Sequence, residues 1–142
     1  MPDPIVISVP GIPAPQGSKV RNRYGGVRES NPNTMPWRGL VTTKAAETMR
    51  GRPPLATPVH VNVRFTFPRP KSHYRSGKHA LELRHDAPTW CDKKPDLDKL
   101  QRAIGDSLSG VAIRDDSRIV SWDAVKVYGD SAGCEITVSE AT

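Results

Sequence analysis

The sequence predicts one α+β domain in which a small mixed or antiparallel sheet packs against two main helices. The chain has 142 residues, a length that suits a single domain with a modest core. Polar and apolar residues alternate over 60–67, which is typical of a strand with one buried face. Apolar residues between 97 and 111 recur instead with the spacing of one helix face. No repeat or long linker divides the chain, so we expect residues 1–142 to fold as one domain.

The N-terminal half of the chain predicts two strands, a helix and a long loop. Residues 5–9 are mostly β-branched and are bounded by prolines and a glycine, which favours a strand. Residues 11–37 are rich in Pro, Gly, Asn and Arg without a sustained period, so we expect a basic loop there. Apolar side chains share a helical face over 40–49, and Gly51 with the prolines after it ends that helix. The alternating run 60–67 is the second strand.

The middle of the chain predicts a second basic loop followed by the main helix. Residues 68–94 are basic and irregular, with a short ordered piece expected around 80–83. Pro95 suits the entry of a helix, because a missing N–H costs no hydrogen bond in the first turn. The apolar positions that follow it predict a helix that ends near Gly110.

The C-terminal residues predict two further strands. Residues 118–128 carry aliphatic side chains and a tryptophan, as a strand does, and residues 134–139 form a similar run. The segment 129–133 between them is rich in glycine and reads as a turn. Because a short turn commonly joins two neighbouring antiparallel strands, we expect these last two strands to form a hairpin.

The charges of this chain are unequally distributed. The net charge is +6 and the pI is about 9.6. Residues 1–56 carry eight Lys and Arg against three acids, and residues 68–94 carry seven against three. From Pro95 to the end there are five basic residues and nine acids. A positive surface attracts polyanions, so the composition favours a nucleic-acid partner.

The cysteines and the hydropathy argue against a zinc site, a membrane span and secretion. Cys91 and Cys134 are far apart, form no CxxC pair and are expected to be reduced, packed thiols. The nearby histidines lack the spacing of a zinc finger, and no apolar run approaches the roughly 18–20 residues of a membrane span. The N-terminus lacks the basic and apolar regions of a signal peptide. We therefore expect a cytoplasmic protein.

Several carboxylates stand close together around the start of the main helix. If Asp96 and Asp98 lie in an extended lead-in, their spacing of two points both side chains to the same side. Either could instead cap the helix, because aspartate accepts hydrogen bonds from free N–H groups. Within the helix, Asp98, Arg102 and either Gly105 or Asp106 lie three to four residues apart and form one polar stripe. Arg102 could pair with these acids or contact a phosphate and the charge on a leaving group.

A second pair of acids, Asp115 and Asp116, comes just before the strand that starts near Arg118. An Asp-Asp pair in a turn says little by itself, but helix and strand ends can converge in a fold. Convergent carboxylates would bind one or two Mg²⁺ ions through oxygen ligands, and Mn²⁺ could substitute. Such ions activate water and stabilise the attacking and leaving oxygens in phosphodiester hydrolysis.

These motifs together resemble the signature of the RusA family of Holliday-junction resolvases. The match is strong over 94–120, where the chain reads KPDLDKLQR, then DSLSG, the Asp-Asp pair and Ile-Val. The Pro- and Gly-rich stretch 11–19, with Arg21 and Arg23 after it, is loosely similar to the family's basic N-terminal loop. The resemblance implies a small homodimeric, Mg²⁺-dependent endonuclease of the kind found in bacteria and their phages, here a phage-type member.

The resemblance also assigns roles by position. It implies that Asp96, Asp98 and Asp116 are catalytic metal-binding aspartates, with Asp115 as an acidic neighbour. Arg102 falls where the family has a lysine implicated in catalysis, and Lys99 replaces the asparagine that follows the second aspartate. Arginine keeps the charge of lysine but cannot readily release a proton.

DNA contacts are expected from the basic segments, because phosphate neutralisation supplies most structure-selective affinity. The candidates are Lys19, Arg21, Arg23, Arg28, Arg69, Lys71, Arg75, Lys78, Lys94 and Lys99. The expected partner is a four-way junction or other branched DNA. For the tryptophans, Trp37, Trp90 and Trp122, core packing is the default reading over an interface or base stacking.

Three functions are compatible with the sequence. The first is a Mg²⁺-dependent endonuclease that resolves Holliday junctions by paired symmetric cuts in DNA recombination and repair. The second, motivated by Lys99 and Arg102, is a non-catalytic module that binds branched DNA. The third is a nuclease for a different structured nucleic acid.

Overall fold

The computed structural model describes residues 3–17, 19–21, 23–29 and 31–141. The elements in chain order are β1 (Ile5–Pro10), β2 (Lys19–Arg21), β3 (Val27–Glu29), α1 (Thr34–Met49), β4 (Val59–Pro68), α2 (Leu97–Leu108), β5 (Ile119–Gly129) and β6 (Gly133–Glu140). Short 3₁₀ helices cover Lys71–His73, Gly77–His79 and Asp116–Arg118.

A mixed sheet forms the centre of the fold. Among the described residues it has four strands in the order β1-β6-β4-β5. The strand β6 pairs antiparallel with both β1 and β4, whereas β5 runs parallel to β4. In β4 every second residue from Val59 to Phe67 is buried, as the alternation in the sequence predicts. The predicted α+β class with a mixed sheet is therefore confirmed.

Both helices pack on one face of this sheet and against each other. In α1 the residues Thr34, Trp37, Val41, Ala45 and Met49 are buried, which places one stripe of the helix against the core. In α2 the buried stripe is Leu100, Ala103, Ile104, Ser107 and Leu108. The opposite, polar side of α2 is left free to line a surface cavity.

The last two strands do not form the predicted hairpin. The strand β4 lies between β5 and β6 and pairs with both, so the connection after Gly129 crosses the end of β4. The two glycines of the connection permit this crossing. A Cβ on Gly129 would lie 2.7 Å from Thr66 Cγ2, and one on Gly133 would overlap the Val9 carbonyl oxygen. The strand β4, whose apolar residues alternate along its whole length, buries them best in the middle of the sheet. This burial favours β4 as the neighbour of β5, although a short turn joins β5 to β6.

The predicted loop 11–37 contains more regular structure than the sequence indicates. Strands β2 and β3 pair as a small antiparallel ribbon, and α1 begins at Thr34 instead of residue 40. Pro36 lies in the first turn of α1, where a proline is tolerated, so the Pro-rich composition hid the helix start. The Thr34 hydroxyl, which is fully buried, donates a hydrogen bond to the Pro15 carbonyl at 2.6 Å and fixes the loop to the helix.

The predicted basic loop 68–94 is ordered against the free edge of β5. Thr89 and Cys91 exchange backbone hydrogen bonds with Tyr128 and Lys126, which extends the sheet by a short bridge. Around the predicted piece 80–83, Leu83 bridges to Tyr74. Within the described ranges, no helix has the length and apolar character that a membrane crossing requires.

The thiol of Cys134 is expected to resist modification in the folded protein. Its side chain is buried in β6, and burial raises the pKa of this thiol to about 12, so the reactive thiolate is scarce near neutrality. At pH 8 a thiol-specific reagent should leave Cys134 unlabelled in native protein and label it once guanidinium unfolds the chain. Peptide mapping reads the result, and native labelling of Cys134 would contradict the packing.

Candidate active site

The polar side of α2 and the turn before β5 enclose an open cavity of about 540 Å³. Three carboxylates line it, from Asp98 and Asp106 on the helix and from Asp116 at the turn. Arg102 lines the same cavity between the two helical acids. Residues from separate parts of the sequence thus line one cavity.

Helical periodicity explains the three side chains that α2 contributes. Asp98, Arg102 and Asp106 follow each other at intervals of four, so they project from one side while the apolar stripe is buried. The polar stripe expected from the sequence is present. Gly105 lies beneath it and brings the turn close, since a Cβ there would be 3.7 Å from Asp116 Cβ.

Asp96 occupies the N-cap position of α2 but is not among the residues that line this cavity. Its backbone carbonyl accepts from the Leu100 N–H at 3.1 Å, whereas its side chain makes no capping hydrogen bond to any described N–H. Its carboxylate instead lies 3.7 Å from the Lys99 ammonium. The capping alternative is not realised for the Asp96 side chain, and Lys99 partly neutralises this acid.

Asp115 is occupied by its own turn and is likewise not among the residues that line the cavity. Its carboxylate accepts hydrogen bonds from the Ser117 N–H at 2.9 Å and from the Ser117 hydroxyl. The hydroxyl bond is the main reason that the pKa of Asp115 lies below its ordinary value. Asp115 therefore shapes the 3₁₀ turn that presents Asp116.

The donor set at this cavity suits a hard divalent cation, although it is not a closed cage. All three acids that line it offer carboxylate oxygens, which Mg²⁺ prefers. Within the described part of the chain, no group of three His, Cys, Asp or Glu side chains is arranged to hold a metal ion by itself. An ion here would thus complete its shell with water and with a ligand oxygen.

Arg102 remains available as a cation at the cavity. Its side chain is exposed, and none of the described carboxylates lies within 4.0 Å of its guanidinium. The pairing with Asp98 or Asp106 that helical spacing allows is not formed. The guanidinium can therefore meet a phosphate oxygen or the charge that develops on a leaving group.

Some basic side chains of 68–94 bind other groups of the protein, whereas others are exposed and have no described acid nearby. Arg69 donates to the Pro88 carbonyl at 2.7 Å and lies over the Tyr128 ring at 5.6 Å, so it fastens the loop to β5. Arg75 forms a 2.6 Å ion pair with Glu82. Lys71 and Lys78 are exposed, and no described acid lies within 4.0 Å of either ammonium. These two lysines are the better phosphate candidates of this loop.

The remaining DNA candidates lie in the N-terminal ribbon and at the start of α2. Arg23 is exposed with its guanidinium 5.6 Å from the centre of the Tyr24 ring. Lys94 is exposed beside the entry of α2. The side chains of three candidates in β2 and β3 lie outside the described part of the structure, namely Lys19, Arg21 and Arg28.

Lys126 supports the site in a way that the sequence did not reveal. From β5 its ammonium donates to the Lys93 and Pro95 carbonyls, both at 2.6 Å, and so holds the segment that leads into α2. Lys126 reaches this segment because the loop before it bridges to the free edge of β5, and no local pattern in the sequence could identify that contact. The core packing expected by default was wrong for Trp90, which is 63% exposed, and Trp122 is only half-buried and lines the cavity.

Replacing Lys126 by methionine is expected to lower the free energy of unfolding by about 2 kcal/mol, because two charge-assisted hydrogen bonds are lost. The lead-in that ends at Asp96 and positions the first turn of α2 should loosen at the same time and reduce cleavage. Urea denaturation measures the first effect and hydrogen exchange at residues 93–98 the second. The matched control is Lys93→Met, whose exposed ammonium makes only a 4.0 Å pair with Asp92. Equal stability of the two variants would contradict this role.

Comparisons with known proteins identify the family of this chain. The family model described as Endodeoxyribonuclease RusA matches residues 10–139. An uncharacterised protein of Bacillus subtilis (strain 168), YqaN, is 27% identical over 145 residues, and the match covers 99% of each chain. The family match includes both helices, the strands β4 and β5, most of β6 and every acid of the cavity, while nearly all of β1 precedes it. The chain therefore belongs to the RusA endodeoxyribonuclease family.

Proposed function

We propose that this protein is a Mg²⁺-dependent, structure-selective endodeoxyribonuclease that resolves Holliday junctions as a homodimer. The family match supports the nuclease class. The observation that carries the proposal is the cavity that Asp98, Asp106 and Asp116 line together with Arg102. A four-way junction has two-fold symmetry, so two such cavities in a symmetric dimer would make paired cuts.

The proposed ligands come from the three cavity carboxylates. Asp98 and Asp106 are eight residues apart on α2, about 12 Å along its axis, so one Mg²⁺ would be held by only part of this set. A bound Mg²⁺ would activate water and stabilise the charges of phosphodiester hydrolysis. Asp98 and Asp106 are fixed by the rigid α2, and Asp116 by the turn that Ser117 and Asp115 hold. Arg102 orients a phosphate from the same helix. The exposed Lys94 and the open lysines of 68–94 bind the flanking backbone, in an interaction that weakens with salt.

The test is an incubation of the protein with an end-labelled four-way junction and Mg²⁺, beside a linear duplex of the same sequences. We expect paired symmetric nicks in the junction, no cuts in the duplex, and no cuts with EDTA. Light scattering should give a dimer, alone and on the junction. Cleavage of the duplex at the same rate, or metal-independent cleavage, would overturn the proposal.

A non-catalytic branched-DNA-binding module is the second candidate. The 3.7 Å pair between Lys99 and Asp96 favours it, since that ammonium competes with a metal for the carboxylate. A module of this kind would retard the junction in a gel without nicking it at any Mg²⁺ concentration. A nuclease for another structured nucleic acid would instead cut flaps or forks in preference to the junction.

The same ion pair yields a prediction for the enzyme. Lys99→Asn frees Asp96 from its ammonium partner, so Asp96 can join the metal ligands. We expect the Mg²⁺ concentration for half-maximal cleavage to fall by about fivefold, the effect of a surface pair worth roughly 1 kcal/mol. The control is Lys44→Asn, which removes a 3.5 Å pair with Glu47 on the distant α1. An unchanged Mg²⁺ requirement would show that Asp96 is not a ligand.

A further inference from the structure

A groove adjoins the carboxylate cavity on the other side of the α2 N-terminus. Two concave regions, of about 590 and 330 Å³, share Pro15, Asn31, Lys94 and Pro95 along their walls and so form one groove. We call it the Trp37 groove, after the tryptophan of α1 at its far end. The volume of each region falls in the range of about 300–1,000 Å³ that small-molecule sites occupy.

The groove leads directly to the candidate active site. Its near end is lined by Asp96 and Lys99, which flank the cavity residue Asp98 on the first turn of α2. The Gln16 N–H donates to the Lys99 carbonyl at 2.9 Å, so the N-terminal segment forms a fixed wall along this turn. A strand with a phosphate in the cavity would thus have its neighbouring nucleotide over the groove.

The walls of the groove are apolar and aromatic. Pro13, Trp37 and Phe67 are buried side chains that line it, and Leu40 is half-buried beside them. Trp37 is 4% exposed, and its indole N–H finds no acceptor among the described residues. A buried donor without a partner costs free energy, so it is a place where a ligand atom could bind.

Two asparagine side chains that line the groove have hydrogen-bonding groups without a partner among the described residues. Asn33 holds the N-cap position of α1, yet its side chain caps no described N–H and lines the groove. Asn31 also lines it, and its carbonyl oxygen accepts the Asn33 N–H at 2.8 Å, which leaves its NH₂ group available. Paired amide donors and acceptors are the groups that read the edge of a nucleobase.

We propose that the Trp37 groove binds one unstacked nucleotide of the DNA strand beside the scissile phosphate. The base lies against the half-buried Leu40 and accepts from the indole N–H of Trp37, Asn31 and Asn33 contact its edge, and the exposed Lys94 meets its phosphate. Asp96 offsets the charge of Lys99 at the near end, so Lys94 supplies the positive charge that matches the phosphate of a nucleotide, as basic side chains do in grooves that hold unpaired strands. This inference rests on the proposed function, and it makes the groove the determinant of local sequence preference.

The test uses Asn33→Ala and Asn33→Trp in the full chain, because the exposed Asn33 side chain makes no hydrogen bond to described residues. Cleavage rates are measured on junctions that differ only in the nucleotides at the crossover. Wild type should prefer some sequences, and Asn33→Ala should reduce that preference by about tenfold. Asn62→Ala, an exposed asparagine on the opposite face of β4, should keep it.

A second measurement does not depend on cleavage. Junctions with 2-aminopurine at each crossover position are titrated with protein in Ca²⁺. One position should change its fluorescence with wild type and with Asn62→Ala, and Asn33→Trp, which fills the groove, should abolish that change. Equal rates on all sequences, with the same fluorescence for wild type and Asn33→Trp, would overturn the inference. If wild type cuts no junction, the proposed function fails, and the fluorescence still decides whether the groove takes a base.

Discussion

Asp98→Asn and Asp116→Asn are each expected to reduce junction cleavage by about a thousandfold while junction binding persists. Asparagine keeps the shape of the side chain but removes the negative charge that would hold the cation in the cavity. Metal stabilisation of a phosphoryl transition state amounts to several kcal/mol, and each 1.36 kcal/mol is tenfold in rate. Single-turnover cleavage and gel retardation of the same labelled junction measure the two effects.

Substitutions of two further acids distinguish the metal ligands that the cavity indicates from those that the family resemblance implies. Asp106 faces the cavity, so Asp106→Asn should also lose most cleavage. Asp115 is occupied by Ser117, so Asp115→Asn should act through the turn and lose less. The control is Asp123→Asn on the outer face of the same β5, whose carboxylate only reaches Asn62 at 3.5 Å. Full activity of Asp98→Asn or Asp116→Asn would refute the site, and full activity of Asp106→Asn would remove that residue from it.

At Gly105, a small added side chain should raise the stability of the protein, whereas a large one should lower its cleavage rate. Gly105→Ala is expected to raise the free energy of unfolding by about 1 kcal/mol, since alanine is the better helix former. Its methyl group fits, with ordinary contacts of 3.7 Å to Asp116 and 3.8 Å to Ile119. Gly105→Leu should instead displace Asp116 or fill the cavity. A displacement of about 1 Å at a reacting group costs on the order of a hundredfold in rate.

Gly39 provides the matched control for this pair, because it lies in α1 and a Cβ there would meet nothing within 4 Å. Gly39→Ala and Gly39→Leu should both stabilise the helix and leave cleavage unchanged. Denaturant unfolding and single-turnover rates are compared across the four variants. If Gly105→Leu cuts the junction like wild type, the space above Gly105 plays no part in the reaction.

Local patterns in the sequence were sufficient for the strand β4, the helix α2 and the residue types of the site. Each depends on a repeat that neighbouring residues carry, such as the buried alternation from Val59 to Phe67. The polar stripe of Asp98, Arg102 and Asp106 follows from helical spacing in the same way. The start of α1 was missed because Pro36 and its neighbours have the composition of a loop.

Local patterns could not predict which strands pair or which distant residues come together. The hairpin prediction was wrong because a turn of a few residues does not reveal that β4 takes the place between β5 and β6. The bridge between residues 89–91 and the free edge of β5 decides that Lys126 reaches the Pro95 carbonyl. The packing of α2 on β5 places Trp122 beside the cavity instead of deep in the core.

By itself, the sequence determined the fold class, the surplus of positive charge and the presence of several acids around the start of α2 and before β5. Those properties follow from composition and from periodicities of two and 3.6 residues, which are local. Only the tertiary structure decided that Asp98, Asp106 and Asp116 face one cavity while Lys99 and Ser117 engage Asp96 and Asp115. The reason is physical: such meetings depend on how the whole sheet packs its buried faces against the helices, and residues far apart in the chain set that packing together.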